Sequence, residues 1–182
     1  MSAVLPDARM DRVLLTEAEI AGAVARLGHD IAADYVGRDL VLVTVLKGGL
    51  FFLSDLCREI DLPLTLDFMA ISSYGPQSTG SVAITKDLDE AIEDRDVLVI
   101  EDIIDTGLTL NYLLRVLRQR RPASLAVCTL LDKDARRLVD LPITYRGFSV
   151  PDRFLVGYGL DLGGLWRNTG YIATLKEAVW EA

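Results

Sequence analysis

The chain has 182 residues, of which 51% are hydrophobic and 25% charged, and it carries a formal charge of −8. A chain of this length and apolar content is expected to form a single domain with a large core. The acidic balance argues against non-specific binding to nucleic acid, and no apolar run reaches the ~20 residues needed to span a membrane.

The two cysteines and the first residues indicate where the protein works. Cys57 and Cys128 lie far apart in apolar patterns and lack the spacing of metal ligands. We expect them to be buried free thiols in a reducing compartment. Residues 1–11 contain no apolar core of a secretory signal. These observations predict a cytoplasmic protein.

The first predicted element is a helix that begins after Thr16. Residues 1–14 are weakly patterned and are expected to be partly ordered at best. Thr16 and Glu19 have the spacing of a capping box, in which each side chain binds a backbone N–H at the start of a helix. The apolar side chains that follow fall on one helical face: Ile20, Val24, Leu27 and Ile31.

A buried strand is predicted at Leu40–Leu46, and it leads through Lys47-Gly48-Gly49 into a helix over Leu50–Ile60. A strand followed by a glycine turn and a helix N-terminus can bind an anion, because free backbone N–H groups point at the ligand. A single lysine is usually a surface residue. The place of Lys47 before two glycines at a strand end makes it a candidate phosphate ligand.

The next segment combines two strands with a polar connection. Leu64–Ile71 predicts a third strand, and Val82–Lys86 predicts a short returning strand. Residues 72–81 between them are rich in serine and glycine, which are loop formers. This connection has two interpretations: a disordered linker, or a lid that keeps water from a reactive sugar cation.

The central feature of the sequence is a strand followed by a threonine-rich turn. Val97–Ile100 is a continuous aliphatic run, which predicts a strand buried on both faces of a parallel sheet. Thr106, Gly107 and Thr109 follow, and a helical pattern begins near Leu110. Such a turn attracts anions, since glycine allows close backbone approach and the threonines add hydroxyl donors. A phosphate is the ligand that this turn favours.

Three carboxylates occur in the same run. They are unsuited to phosphate, because like charges repel. Glu101 and Asp102 suit either the vicinal hydroxyls of a sugar or the ligand shell of Mg²⁺, and Asp105 is a candidate acid–base residue. The structural alternative is a solvated strand end, with Thr106 acting only as a helix cap. The full combination instead predicts a site for a sugar phosphate with a divalent metal.

The remaining elements repeat the strand–helix pattern. Repeated units with apolar strands predict an α/β fold with a mainly parallel sheet. First, Tyr112–Arg121 completes a helix that Pro122 stops. A strand at Ser124–Leu131 then carries Asp132-Lys133-Asp134 to the ligand edge. An edge strand at Leu141–Phe148 follows, and a final strand and short helix lie within residues 168–182.

The run from Glu101 to Leu110 resembles the phosphoribosyl-pyrophosphate (PRPP) signature of the type I phosphoribosyltransferases. It is most similar to the form found in the hypoxanthine–guanine phosphoribosyltransferases, and the likeness extends across most of the chain. The resemblance implies a mainly parallel twisted sheet flanked by helices, in one domain of residues 1–182. It also implies a small hood from the N-terminus and about residues 143–182, and a flexible lid at about residues 72–82.

The resemblance also implies roles for the matching residues at the sugar phosphate. Glu101 and Asp102 manage the ribose hydroxyls and Mg²⁺, and Asp161 lies beside a second Mg²⁺. Asp105 takes a proton from the purine ring. The 5-phosphate is contacted by Thr106, Gly107, Leu108 and Thr109. The pyrophosphate is contacted by Lys47, Gly48 and Arg167. In this family the peptide before the lysine is often cis.

The implied base site contains three residues. Lys133 donates to the 6-oxygen of a purine, Phe154 stacks on the base, and Leu155 offers backbone groups to its edge. Ser73 and Tyr74 match the Ser-Tyr pair of the family's lid. The chain departs from the family at Leu162-Gly163-Gly164, where an aromatic residue is common. This departure bears on specificity at the base edge.

The implied reaction transfers 5-phosphoribosyl from PRPP to N9 of hypoxanthine or guanine, with Mg²⁺ and in a homodimer or homotetramer. A phosphoribosyltransferase for another base, such as xanthine or adenine, is a close alternative. Lys133 favours a 6-oxo over a 6-amino group, because a lysine can only donate. A regulator on the same fold that senses nucleotides and binds RNA is the other alternative, which the charge of −8 disfavours.

Overall fold

The computed structural model of the chain describes residues 7–73 and 82–180. These residues form two sheets and four α-helices. The α-helices are α1 (Glu17–Asp34), α2 (Leu50–Glu59), α3 (Leu108–Arg118) and α4 (Glu177–Trp180). The strands are β1 (Met10–Leu15), β2 (Leu40–Leu46), β3 (Leu64–Ser73), β4 (Val82–Lys86), β5 (Asp96–Ile104), β6 (Ser124–Asp132), β7 (Ile143–Ser149), β8 (Leu155–Val156) and β9 (Ile172–Leu175).

The main sheet has six strands in the order β4-β3-β2-β5-β6-β7. All its neighbours pair in parallel except β3 and β4, which are antiparallel. The strand β5 lies between β2 and β6, and its residues Val97–Ile100 are all 0% exposed. The predicted α/β fold and the central buried strand are therefore confirmed, as is the position of β7 at an edge.

Helices cover both faces of this sheet because successive strand residues point in opposite directions. Leu98 and Ile100 pack in one core with the apolar faces of α1 and α2. Val97 and Val99 pack in another core with α3. The predicted capping box is present at the start of α1, where Thr16 accepts from the Glu19 backbone and the Glu19 carboxylate accepts from the Thr16 backbone.

A second sheet joins the two ends of the described chain. Its three strands lie in the order β1-β9-β8, and all pairs are antiparallel. Met10, Val156, Ala173 and Leu175 form its core. The expectation of weak order over residues 1–14 is wrong from Met10 onward, since Met10–Leu15 form the strand β1, although its pairing with β9 has two register shifts. Its partner β9 comes from the far end of the chain, so a local pattern could not show the pairing.

Several predicted boundaries move by a few residues. The helix α3 begins at Leu108 rather than near Leu110, and it ends at Arg118 rather than Arg121. Gly107 precedes it with φ +81°, and Arg121 has left the helix with φ +55°. The strand β5 continues to Ile104, so the first two carboxylates of the central run belong to the strand.

The predicted lid falls largely outside the described residues. Ser73 is the last residue of β3, and Tyr74 is not among the residues that the structure describes. Within residues 7–73 and 82–180, no helix is long and apolar enough to cross a membrane.

Candidate active site

The candidate site lies where the parallel strands β2, β5 and β6 end. The carboxyl ends of parallel strands meet at one edge of a sheet, and ligands of open α/β sheets bind there. A cavity of about 580 Å³ occupies this edge, lined by residues that include Gly48, Asp102, Lys133 and Phe154. A smaller cavity of about 190 Å³ adjoins it, and the two share Ile103 and Asp105 in their walls.

The smaller cavity is formed by the turn that the sequence marked as a phosphate site. Thr106, Gly107 and Thr109 line it at the N-terminus of α3, together with Glu101. Gly107 has φ +81°, and a Cβ at this position would come within 2.8 Å of the Leu141 side chain. The turn therefore requires glycine for its backbone conformation and for close packing. It presents an anion site at the start of an amphipathic helix.

Glu101 and Asp102 are consecutive residues of β5. Glu101 lines the smaller cavity and Asp102 lines the larger one, and both have raised pKa values. Burial raises the pKa of Glu101 to about 8, and the neighbouring Asp102 charge adds to this effect. Burial also raises the pKa of Asp102 to about 6, although a hydrogen bond from the Ile103 N–H at 2.8 Å opposes the shift. Two buried acids of this kind favour a cation or hydroxyl donors as partners.

The glycine turn after β2 packs directly against this acidic pair. The Leu46–Lys47 peptide is cis, and the Lys47 side chain is exposed. A Cβ on Gly48 would lie 1.9 Å from Oδ2 of Asp102, and a Cβ on Gly159 would lie 2.2 Å from the Gly48 carbonyl oxygen. Three segments thus converge at distances that only glycine allows. Lys47, Gly48 and the acidic pair are brought to one edge, as the sequence indicated.

Asp105 and Lys133 belong to a four-residue charge cluster that lines the larger cavity. Lys133 is only 6% exposed, and its Nζ lies 3.7 Å from Oδ2 of Asp105 and 3.6 Å from Oδ1 of Asp152. Arg136 contacts the same two carboxylates, at 3.1 Å and 3.4 Å. We name these residues the charge cluster: Asp105, Lys133, Asp152 and Arg136.

The sequence analysis missed Arg136 and Asp152. Arg136 lies in a short 3₁₀ turn, Asp134–Arg136, that places it one turn after Lys133. The spacing of the two cations was a usable signal. Asp152 carried no such signal, because it comes to the cluster from the segment after β7.

Asp161 and Arg167 are brought together by a tight loop. Nη2 of Arg167 lies 2.6 Å from Oδ1 of Asp161, and Oδ2 of Asp161 accepts a hydrogen bond of 2.6 Å from the Gly164 N–H. Arg167 also donates to the Gly159 carbonyl. The Leu162-Gly163-Gly164 segment, which departs from the family pattern, is thus folded back on Asp161.

The carboxylates do not form a complete metal cage by themselves. Within residues 7–73 and 82–180, no group of three or more potential ligands could hold a metal ion. Mg²⁺ commonly binds through one or two carboxylates and completes its shell with water and substrate phosphates. The buried pair of Glu101 and Asp102 fits that mode, because burial leaves its negative charge poorly compensated.

The far end of the larger cavity is apolar. Phe154, Leu155 and Leu160 line it together with Trp180, and Leu155 is 5% exposed. The rings of Phe154 and Trp180 are stacked, with centroids 6.1 Å apart and an interplanar angle of 27°. Trp180, like Arg136 and Asp152, is a residue that sequence reasoning did not place at the site. The wall of one cavity therefore contains apolar and aromatic side chains, the charge cluster and Asp102, whereas Glu101 lines the smaller cavity.

Comparisons with known proteins agree on one family. A family model described as a phosphoribosyl transferase domain matches residues 13–162. A hypoxanthine-guanine phosphoribosyltransferase of Mycobacterium avium is 49% identical, and the match covers 93% of this chain and 87% of the relative. One of the same name from Staphylococcus aureus strain Mu50 is 49% identical over 94% of this chain and 97% of the relative.

Solved structures show the same likeness. A hypoxanthine phosphoribosyltransferase from Staphylococcus aureus superposes with a TM-score of 0.90 at 48% identity, covering 94% of this chain and 95% of that one. The hypoxanthine phosphoribosyltransferase from Trypanosoma cruzi in complex with the product IMP has a TM-score of 0.90 at 38% identity, covering 97% of this chain and 100% of that one.

Proposed function

We propose that this chain, which belongs to the phosphoribosyltransferase family, is a purine-salvage enzyme of the hypoxanthine–guanine type. It transfers 5-phosphoribosyl from PRPP to N9 of hypoxanthine or guanine and releases pyrophosphate. The observation that carries this proposal is the pair of adjoining cavities, one ending in a phosphate turn and the other in an aromatic wall. Asp105 lies in the wall of both, where the sugar phosphate and the base would meet.

The sugar phosphate would be held by the β5–α3 segment. Backbone N–H groups and hydroxyls from Thr106 to Thr109 bind the 5-phosphate at the helix N-terminus. Glu101 and Asp102 accept hydrogen bonds from the ribose hydroxyls. Lys47, Gly48 and Arg167 bind the pyrophosphate group. The Gly48 backbone supports this assignment, since it lies against Asp102 with no room for a side chain.

The base would bind between Lys133 and Phe154. The 6-oxygen and N7 of a 6-oxopurine lie on the same edge of the ring. Since Lys133 Nζ is 3.7 Å from the Asp105 carboxylate, one base edge can reach both groups. Lys133 donates to the 6-oxygen, Asp105 accepts the ring proton, and Phe154 stacks on the base with Leu155 at its edge. Lys133 must then exchange one carboxylate contact for the base oxygen.

The proposal includes Mg²⁺, held at Glu101 and Asp102 with Asp161 beside a second site. When bound, the metal supplies positive charge that stabilises the departing pyrophosphate. The protein would contribute these carboxylates, and water and substrate phosphates would complete the ligand shell. The carboxylates also tolerate the positive charge that develops on the ribosyl ring.

Further expectations about the domain, its assembly and its location accompany this function. The β1-β9-β8 sheet acts as a hood over the main sheet, and about residues 72–82, with Ser73 and Tyr74, act as a lid. The substrates are small molecules, and the enzyme works as a homodimer or homotetramer in the cytoplasm. The domain is single and spans residues 1–182.

A spectrophotometric panel tests the proposed function. Purified protein is given PRPP and Mg²⁺ with hypoxanthine, guanine, xanthine or adenine, and each reaction is repeated with EDTA. We expect rapid turnover of hypoxanthine, guanine or both, and loss of that turnover in EDTA. Turnover of adenine or xanthine alone would keep the reaction type but refute the assigned role of Lys133. Nucleotide binding without turnover of any base would favour a regulator.

A further inference from the structure

Trp180 is the last residue that the structure describes, and it lies in the wall of the large cavity. It ends the short helix α4 and is 36% exposed, although indole rings are usually well covered. The charge cluster lines the same cavity, and its Asp152 precedes Phe154 by two residues. An exposed tryptophan beside an apolar pocket offers a large, rigid surface to a ligand.

Trp180 is fixed against the Phe154 segment by several contacts. The two rings are stacked at 6.1 Å. Arg153 forms an ion pair with Glu177, so the residue before Phe154 is joined to the first turn of α4. The Leu175 N–H donates to the Phe154 carbonyl at 3.0 Å, which ties the strand before α4 to the same segment.

This stacking has a consequence for any flat ligand at the apolar end. A phenylalanine ring in an open cavity can take several orientations, and ordering it on binding costs entropy. A neighbouring indole on one face restricts the ring before the ligand arrives. Such preorganisation strengthens binding by removing part of the ordering cost. The residues assigned to PRPP gain nothing from it.

We propose that Trp180 is a positioning residue for the purine base. It acts through Phe154, whose ring plane it holds, and it closes the apolar end of the cavity. This role rests on the proposed function, in which that end receives the base. It applies to a planar aromatic ligand and not to PRPP, which is assigned to the phosphate turn and to the contacts of Gly48 and Arg167.

Steady-state kinetics of Trp180→Ala and Trp180→Phe test the role. An aromatic pair of this kind contributes enough to change a binding constant roughly 2- to 12-fold. We therefore expect Trp180→Ala to raise the KM for hypoxanthine by roughly that factor, with the KM for PRPP changed less than about twofold. Trp180→Phe should restore the KM for hypoxanthine. Val36→Ala is the matched control, because Val36 is 71% exposed and lies away from the cavity.

Fluorescence gives a second readout that does not depend on turnover. The chain has two tryptophans, Trp166 and Trp180. Trp166→Phe leaves Trp180 as the single indole, and we expect its emission to change with IMP but not with ribose 5-phosphate, which lacks the base. Trp180→Phe should lose this difference. An equal response to both ligands would overturn the role.

The outcomes separate this inference from the proposed function. If the wild-type protein turns over hypoxanthine or guanine while Trp180→Ala keeps its KM for the base, only the role of Trp180 fails. If the wild-type protein turns over none of the four bases, the proposed function fails first. If Trp180→Ala does not fold, the emission of Trp180 in the Trp166→Phe variant decides the question.

Discussion

Asp105 shows how one carboxylate can join two parts of a site. It lies in the wall of both cavities, and two cations, Lys133 and Arg136, contact it at 3.7 Å and 3.1 Å. A residue in this position can contact a base edge and the sugar phosphate turn at once. Its proposed function as a proton acceptor can be separated experimentally from its contacts as an ion-pair partner.

Asp105→Asn keeps the shape of the side chain and removes its ability to accept a proton as a carboxylate. General base catalysis commonly contributes 10²–10⁴-fold. We therefore expect kcat with hypoxanthine to fall at least about 100-fold, with KM values changed only a few-fold. Steady-state kinetics with PRPP and hypoxanthine measure both quantities.

Asp152→Asn is the matched control for this experiment. Asp152 contacts the same two cations, at 3.6 Å and 3.4 Å, but lies outside the smaller cavity. Loss of one ion-pair partner should therefore reduce activity much less than loss of the base. Near-normal turnover of Asp105→Asn, or equal losses in both variants, would refute the assignment of Asp105 as the base.

Individual residues also show what the sequence could and could not reveal. Thr106 and Gly107 could be assigned to an anion site because a turn motif between a strand and a helix is a local signal. Asp152 and Trp180 could not, because their neighbours in space are distant in the chain. The contact of Gly48 with Asp102 was equally hidden: the sequence shows a glycine, but only the fold shows the 1.9 Å approach that requires it.

At the scale of secondary structure, apolar runs predicted the positions of the main-sheet strands along the chain. The run Val97–Ile100 is buried on both faces. A strand of this kind can be recognised from a continuous apolar run alone, because none of its residues faces solvent. The small sheet escaped prediction because β1 and β8 depend on β9 for their pairing. Short strands that pair across the whole chain have no signal in a local window.

The carboxyl end of β6 contains a buried ion network that supports the base site. Asp132, the residue before Lys133, has a fully buried side chain that pairs with Arg137 and with Arg146 of β7. Removing one partner of a buried ion pair leaves uncompensated charge and typically costs about 3–5 kcal/mol. The network therefore joins β6, β7 and the turn after Lys133.

Asp132→Asn should lower the free energy of unfolding by about 3 kcal/mol, because two arginines lose their counter-charge. Urea unfolding followed by circular dichroism measures this change. Asp39→Asn is the control, since Asp39 accepts two hydrogen bonds from Arg95 at 2.7 Å and 2.8 Å but is exposed to solvent. A loss in Asp39→Asn as large as that in Asp132→Asn would show that burial does not set the cost.

At the scale of the whole molecule, the site contains two carboxyl groups, Glu101 and Asp102, whose negative charge the fold alone does not compensate. The raised pKa values of Glu101 and Asp102, about 8 and about 6, mean that the folded protein binds protons that the unfolded chain releases. The free energy of unfolding therefore falls as pH rises. For each group, the fall extends from its pKa in the unfolded chain to its pKa in the folded protein. For Glu101 that window runs from 4.5 to about 8.

Glu101→Gln removes the larger of these two titrations. The free energy of unfolding of the wild-type protein, measured in EDTA without substrates, should fall more steeply between pH 5 and pH 8 than that of the variant. The difference should exceed about 1.4 kcal/mol, the equivalent of one pKa unit. Urea unfolding at several pH values gives this quantity for both proteins.

Glu90→Gln provides the matched comparison, because Glu90 is exposed. The free energy of unfolding of this variant should depend on pH as that of the wild-type protein does. Adding PRPP with Mg²⁺ should reduce the slope of the wild-type profile, since a bound cation favours the ionised carboxylates and offsets the cost of burying them. Parallel profiles for Glu101→Gln and the wild-type protein in EDTA would refute the raised pKa of Glu101. The acidic pair would then have to be compensated by the protein itself, and its assignment as a cation site would lose its physical basis.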